Sequence, residues 1–325
     1  MATRTSIGQV VRLCGLAARP DLNGAHATVV EPSATEATEL KLKDRVKVTT
    51  LLAGETLALR RASIEPVEGE AMANAIFSTA DFAVVRQPGR DFAWIARRRL
   101  LAGKQLWREQ PLVAYRFYDF LSDPVVRALH EQLEPFLSQQ SYTPAAMQLL
   151  GQAADRIADR IYAQLSPCEK RRYMALHDAF STPPAKTAGG IYRTNTFERE
   201  DEEGGILYEV LSRVNHSCCP NVCKEYDGFI AVVTALRDIA CGEELCISYI
   251  DTTNDMELEK STRKRREMLS RKYNFTCVCD KCGGLPSSLR MEDESIDESE
   301  NMSENKQVVI GSSASLATTA DSTLV

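Results

Sequence analysis

Cys277, Cys279 and Cys282 put three sulfurs within six residues. Structural zinc takes four thiolate or imidazole ligands in a tetrahedron. Three sulfurs this close leave no room for a pair of zinc-finger knuckles, so the fourth ligand must come from elsewhere in the chain. Cys218 is the best candidate, with Cys219 and Cys223 as competitors. Closing such a site would fasten the C-terminal loop to the segment around residue 218, with a gain of roughly 10–16 kcal/mol. Buried free thiols are the plainer alternative, but a charged, Tyr-containing neighbourhood argues for the metal. A disulfide framework fits poorly: the ten cysteines are spread over 325 residues, and no charged-then-apolar signal segment follows Met1.

Cys218 belongs to the polar run Asn215-His216-Ser217-Cys218-Cys219-Pro220-Asn221, and Gly242-Glu243-Glu244-Leu245 and Tyr249 follow it. These three motifs, in this order, resemble the SET domain of protein-lysine methyltransferases with its cysteine-rich post-SET loop. The nearest flavour is similar to the SET-and-MYND group, here without the MYND cysteine pairs. The resemblance extends upstream through Thr194-Asn195-Thr196-Phe197 and Ser212-Arg213-Val214, and back to Gly103 before Trp107-Arg108-Glu109-Gln110-Pro111-Leu112-Val113. It covers about residues 82 to 283. It implies a mainly β fold of the SET pseudoknot (β-clip) type, in which the Asn-His-Ser-Cys and Gly-Glu-Glu-Leu segments pack through one another. It also implies a helical insertion and a post-SET zinc loop.

The implied chemistry is methyl transfer from S-adenosylmethionine to a protein lysine, on a histone or a non-histone target. This in-line displacement needs a neutral amine. Holding a lysine of pKa ~10.4 neutral at pH 7 costs about 4.6 kcal/mol; an apolar channel and the sulfonium charge both favour the neutral form. Alignment of amine and methyl can contribute roughly 7–11 kcal/mol without a nucleophilic side chain. Accordingly no Ser-His-Asp or paired-carboxylate arrangement stands out. By resemblance Tyr249 is the active-site tyrosine. Asn215, His216, Ala93, Trp94, Tyr249 and Phe275 contact the methyl donor, and Phe197 and Tyr273 wall the lysine channel. Cys218, Cys277, Cys279 and Cys282 hold a structural Zn2+. The sequence departs from the family at Asp91-Phe92-Ala93, where a Gly-x-Gly is usual; a shifted register recovers Gly89 but leaves Asp91 at the second glycine. A Cβ there narrows the donor pocket, which motivates the alternative of a catalytically inactive SET scaffold serving as a protein-interaction module.

These residues need elements to position them. Residues 1–68 read as a small SH3-like β-barrel: Asn23-Gly24 signals a turn, and Thr28-Val29-Val30, Arg45-Val46-Lys47-Val48 and Thr56-Leu57-Ala58-Leu59 have strand character. The SET unit is expected over 82–251, with its helical insertion at about 121–181. One helix is predicted from Ala145 to Leu165, with Leu149, Ala153, Ile157 and Ile161 on one face. A second follows the capping box Ser166-Pro167-Cys168-Glu169 and runs through Tyr173, Leu176 and Phe180. Residues 252–283 read as a linker helix and the zinc loop. Arg263-Lys264-Arg265-Arg266 reads as a solvated helix face more readily than as a nuclear import signal. From 284 to 325 the composition becomes acidic, then Ser/Thr-rich, and reads as a disordered tail.

A net charge of −6 argues against a nucleic-acid binder. No apolar stretch reaches the length of a membrane span. The expected location is therefore intracellular, cytoplasmic and/or nuclear.

Overall fold

The structure is a computed structural model describing residues 6–67, 74–87, 90–138, 143–182, 185–199, 204–251 and 256–283. Gly89 and the expected acidic tail lie outside the described residues. The chain opens with β1 (Val10–Leu13), β2 (His26–Val29), the short helix α1 (Ala34–Leu42), β3 (Arg45–Thr50), β4 (Thr56–Arg60) and β5 (Ile64–Pro66). The first four strands form an antiparallel meander and β5 returns beside β1, giving the order β4-β3-β2-β1-β5. Alternation drives it: Val46, Val48 and Thr50 of β3 face inward while Lys47 and Thr49 are more exposed. The sequence reading overlooked α1, although Ser33 and Glu36 form its capping box.

Next come β6 (Ala75–Ser78), β7 (Phe82–Gln87), β8 (Arg90–Ala96), β9 (Gln105–Glu109) and β10 (Val113–Arg116). The Asn23-Gly24 turn is where the first sheet meets them. Gly24 has φ +97°, and a Cβ there would approach the Ser78 carbonyl to 2.7 Å and the Phe77 ring to 2.9 Å. Bare backbone instead lets Ser78 N–H donate to Gly24 O at 2.8 Å. Val11, Val48, Phe82, Trp94 and Ile247 then fall into one buried cluster, so the first sheet shares its core with the strands that follow.

The helical insertion comprises α2 (Pro124–Ser138), α3 (Pro144–Gln164), α4 (Pro167–Met174) and α5 (Ala188–Asn195). α3 buries Ala153, Ile157 and Ile161, as its spacing predicts. α4 carries the predicted capping box but stops at Met174, short of Leu176 and Phe180. The cause is local. The Asp178 carboxylate accepts the N–H groups of Phe180, Ser181 and Thr187, which offers the backbone an alternative to the helix. Leu176 is still buried, while Phe180 lies on the surface beneath the Arg193 guanidinium.

The remaining elements are β11 (Phe197–Arg199), β12 (Gly204–Leu207), β13 (Asn215–His216), β14 (Val222–Asp227), β15 (Ile230–Ala235), β16 (Glu244–Ile247), α6 (Met256–Lys260) and α7 (Thr262–Tyr273). They complete three further sheets, ordered β10-β12-β11, β14-β15-β9 and β13-β16-β8-β7-β6. No described helix is long and apolar enough to cross a membrane.

Candidate active site

The two polar motifs lie side by side. β13 pairs in parallel with β16, matching Asn215 to Cys246 and His216 to Ile247, while the β14–β15 hairpin loops out between them. Side-chain amides close the gaps that so short a ladder leaves. Asn221 Nδ2 donates to Glu244 O at 2.8 Å, and its Oδ1 accepts Cys246 N–H at 2.8 Å. Asn215 Nδ2 donates to Phe92 O at 2.8 Å and to Glu244 Oε1 at 2.7 Å, binding β8 to the pair. Only an amide supplies donors and an acceptor from one side chain in this way.

His216 connects two regions. Its Nδ1 accepts the Tyr249 N–H at 3.0 Å, so the neutral ring carries its proton on Nε2, which faces Cys218 Sγ at 3.2 Å. Cys218 in turn lies 3.8 Å from Cys277 Sγ and 3.6 Å from Cys282 Sγ. The sulfurs of Cys218, Cys277, Cys279 and Cys282 all fall within 4.8 Å of one another. A zinc ion about 2.3 Å from each ligand sets tetrahedral edges of about 3.8 Å, so the quartet fits such an ion. Of the competitors, Cys219 is exposed and Cys223 Sγ turns to Thr234 O.

The basic run on α7 is a solvated face only in part: Arg263 is exposed, whereas Arg265 and Arg266 turn to the zinc loop. Arg265 is 1% exposed; it donates from Nη1 to Leu258 O and Glu259 O, from Nη2 to Lys281 O, and lies 3.6 Å from Cys282 Sγ. Arg266 donates to Cys277 O at 3.0 Å and Cys282 O at 2.9 Å. Loop carbonyls that the sequence cannot place draw both guanidiniums inward. Arg265→Met should therefore weaken zinc binding by about 10–100-fold in chelator competition, whereas Arg263→Met, whose parent pairs with Glu267 on the surface, should not.

Two cavities meet beside Tyr249. A cleft of about 970 Å³ takes in Asp91, Phe92, Asn215, His216, Tyr249 and Phe275. A pocket of about 190 Å³ takes in Phe197, Glu198, Lys224, Tyr249, Lys272 and Tyr273. Thr194, Asn195, Ser212, Val214, Tyr249 and Tyr273 line both. The cleft is acidic, with Asp91, Asp178, Glu244 and Asp280 against the single guanidinium of Arg213. Ser212 Oγ is buried at these walls without a hydrogen-bond partner among the described residues. Such an orphaned polar atom suits a site completed by a ligand.

Burial pushes the Tyr249 phenol well above its ordinary range, so it keeps its proton and donates it to Val214 O. Its lone pairs are left for an incoming group. Tyr273 is pushed up to about 12, mainly by burial and secondarily by the Glu198 charge, and donates to Tyr249 O. Asn274 ends α7 in the left-handed region (φ 57°) and donates to Ala179 O at 2.8 Å, which holds the Phe275 turn against the far wall.

Sequence reasoning placed Ala93 and Trp94 at the donor, but the structure puts both in the core. β8 stays between β16 and β7 through Ala96, and the core covers it there: Ala93 is fully buried, and Trp94 stacks on Phe82 at 4.1 Å with its Nε1 donating to Val210 O. Asp91, at the start of the strand, instead lines the cleft and pairs with His177. His177 and Asp178, which also line the cleft, have no signature in the sequence and come from the turn that ends α4 early.

Glu109 was also missed. It is buried and accepts the N–H groups of Val210 and Leu211 and the indole N–H of Trp107, bracing the turn that leads to Arg213. Burial outweighs these donors and raises its pKa to about 7. The native state then holds a proton between about pH 4.5 and 7 that the unfolded chain has released. This contribution to stability should fall as pH rises through that window and level off above it. Glu109→Gln should flatten that slope in urea midpoints and cost about 1–3 kcal/mol, because one amide N–H faces a donor.

Comparison with known proteins agrees with this geometry. Residues 95–250 match the family model described as SET domain. The chain is 44% identical over 82 residues to the protein-lysine N-trimethyltransferase SMYD5 of Gallus gallus, covering 25% of this chain and 19% of that protein. It is 41% identical over 92 residues to the N-lysine methyltransferase SMYD2 of Homo sapiens, covering 27% and 20%. The matches thus span about a fifth of these relatives' length. A solved structure, the SET domain of LSMT bound to lysine and AdoHcy, aligns over 62% of this chain and 54% of that one. At 9% identity and a TM-score of 0.31, that alignment carries no argument. The paired motifs, the cysteine quartet beside them and the family match together identify residues 95–250 of this chain as a SET domain.

Proposed function

We propose that this domain transfers a methyl group from S-adenosylmethionine to a lysine side chain of a protein, histone or non-histone. The observation that carries the reading is the meeting of a large acidic cleft and a small aromatic pocket at Tyr249. The cleft suits a cationic donor: four carboxylates face one guanidinium, the volume is that of a cofactor site, and the aromatic Phe275 lines one wall. When bound there, S-adenosylmethionine supplies a sulfonium-borne methyl group. Asn215 and His216 hold the cleft floor, and the residues at Asp91-Phe92 leave the cleft open despite the missing glycines.

On the other side, Phe197, Tyr249 and Tyr273 exclude water and favour the neutral amine. The Tyr249 oxygen, its proton spent on Val214 O, can orient that amine as an acceptor. Zinc held by Cys218, Cys277, Cys279 and Cys282 would be structural, since four thiolates leave no open position. Within this reading residues 1–68 form a β-unit packed behind the cleft, 82–251 the catalytic unit and 252–283 the linker and zinc loop, acting inside the cell. The test is transfer of labelled methyl to proteins of a cell lysate and to purified histones. Label on lysine supports the reading; no label on any protein sinks it.

A further inference from the structure

The small pocket contains a cation, Lys224, with which no carboxylate pairs among the described residues. Lys224, on β14, lines the pocket with its Nζ 5.4 Å from the Phe197 ring centre and 5.5 Å from that of Tyr226. Ring faces attract a cation, but they do not replace the acceptors that water provides. Burial alone pushes the Lys224 ammonium below its ordinary value, and no carboxylate among the described residues pairs with it. Glu198 lines the same pocket, yet its charge acts on Tyr273 rather than on Lys224. A half-buried ammonium with no paired carboxylate among the described residues, in the pocket that Tyr249 lines, is costly as structure and useful as recognition.

We propose that Lys224 receives a carboxylate of the bound protein, so that the accepted lysine has an Asp or Glu within about two residues. The inference deepens, and rests on, the methyl-transfer reading of this site. Lys224 and Tyr249 wall one pocket of about 190 Å³, so a single bound segment can meet both. An extended chain advances about 3.3 Å per residue, and side chains two apart share a face.

The test measures binding of fluorescent peptides, each with one lysine flanked two residues away on both sides by Glu, Gln or Lys. Anisotropy is read on the full chain as wild type, Lys224→Gln and Lys224→Glu, with thermal melts to confirm folding. Glu-flanked peptides should bind the wild type on the order of tenfold more tightly than Gln-flanked ones. Lys224→Gln should level the preference and Lys224→Glu should reverse it towards Lys-flanked peptides. Equal binding of the three pools, no binding of any, or a Glu preference that persists in Lys224→Glu overturns the proposal. So does Lys224→Gln tightening all pools alike, which would make Lys224 an obstruction. Methyl transfer to the same peptides is scored separately. Charge preference without transfer would leave the anion site standing and count against the methyl-transfer reading alone.

Discussion

Tyr249→Phe is expected to lower methyl transfer by about 10²–10³-fold, the usual cost of removing one preorganised polar contact from a reacting centre. The phenol lines both cavities, and its hydrogen bond to Val214 O fixes where its lone pairs point. Phenylalanine keeps the ring, and with it the packing against Tyr273 at 5.0 Å and His216 at 5.3 Å. The fold should lose only about 0.5–1.5 kcal/mol. Initial rates with labelled S-adenosylmethionine, beside calorimetric binding of the same compound, separate the two effects. Intact binding with lost turnover is the expected result. Unchanged turnover would remove Tyr249 from the reaction.

The second large effect concerns the metal. Native mass spectrometry should find one zinc ion per chain, and Cys279→Ser or chelation should remove it. Up to roughly 10–16 kcal/mol of binding energy holds such loops in place. Its loss should release the 277–282 loop from Cys218, and with it the hold on Phe275, two residues before Cys277. Donor binding should weaken below detection in calorimetry. Cys219→Ser and Cys223→Ser serve as controls, since neither sulfur joins the cluster, and both should keep metal and donor. Zinc retained in Cys279→Ser, or lost in Cys219→Ser, would overturn the ligand set.

The legible parts of this site were those where side-chain chemistry is written in sequence order. Three cysteines in six residues mark a candidate metal site before any fold is known, and Asn215, His216 and Tyr249 belong to motifs with distinctive spacing. α3 was legible because its apolar residues recur at helical spacing over 21 residues. What stayed hidden depends on partners distant in sequence. A register along β8 says nothing of what covers Trp94, which Phe82 and the carbonyl of Val210 hold in the core and not at the donor. Arg265 has the composition of a surface and becomes a clamp only when the loop carbonyls arrive. Asp178 stops α4 with hydrogen bonds that no periodicity reports. Lys224 has no marker in the sequence, because the ring of Phe197 reaches it from another part of the fold.

The shared core has a consequence for biosynthesis. Val11 and Val48 are in one cluster with Ile247, and Arg213 reaches across to Leu52 O. Translation at about 5–20 residues per second leaves an interval of roughly 10–40 s between residue 67 and residue 250. Over that interval the early strands emerge from the ribosome with one face uncovered. A nascent chain stalled before β16 should recruit chaperones that the finished chain ignores, and fragments cut near residue 68 should depend on co-expression of the remainder to stay out of inclusion bodies.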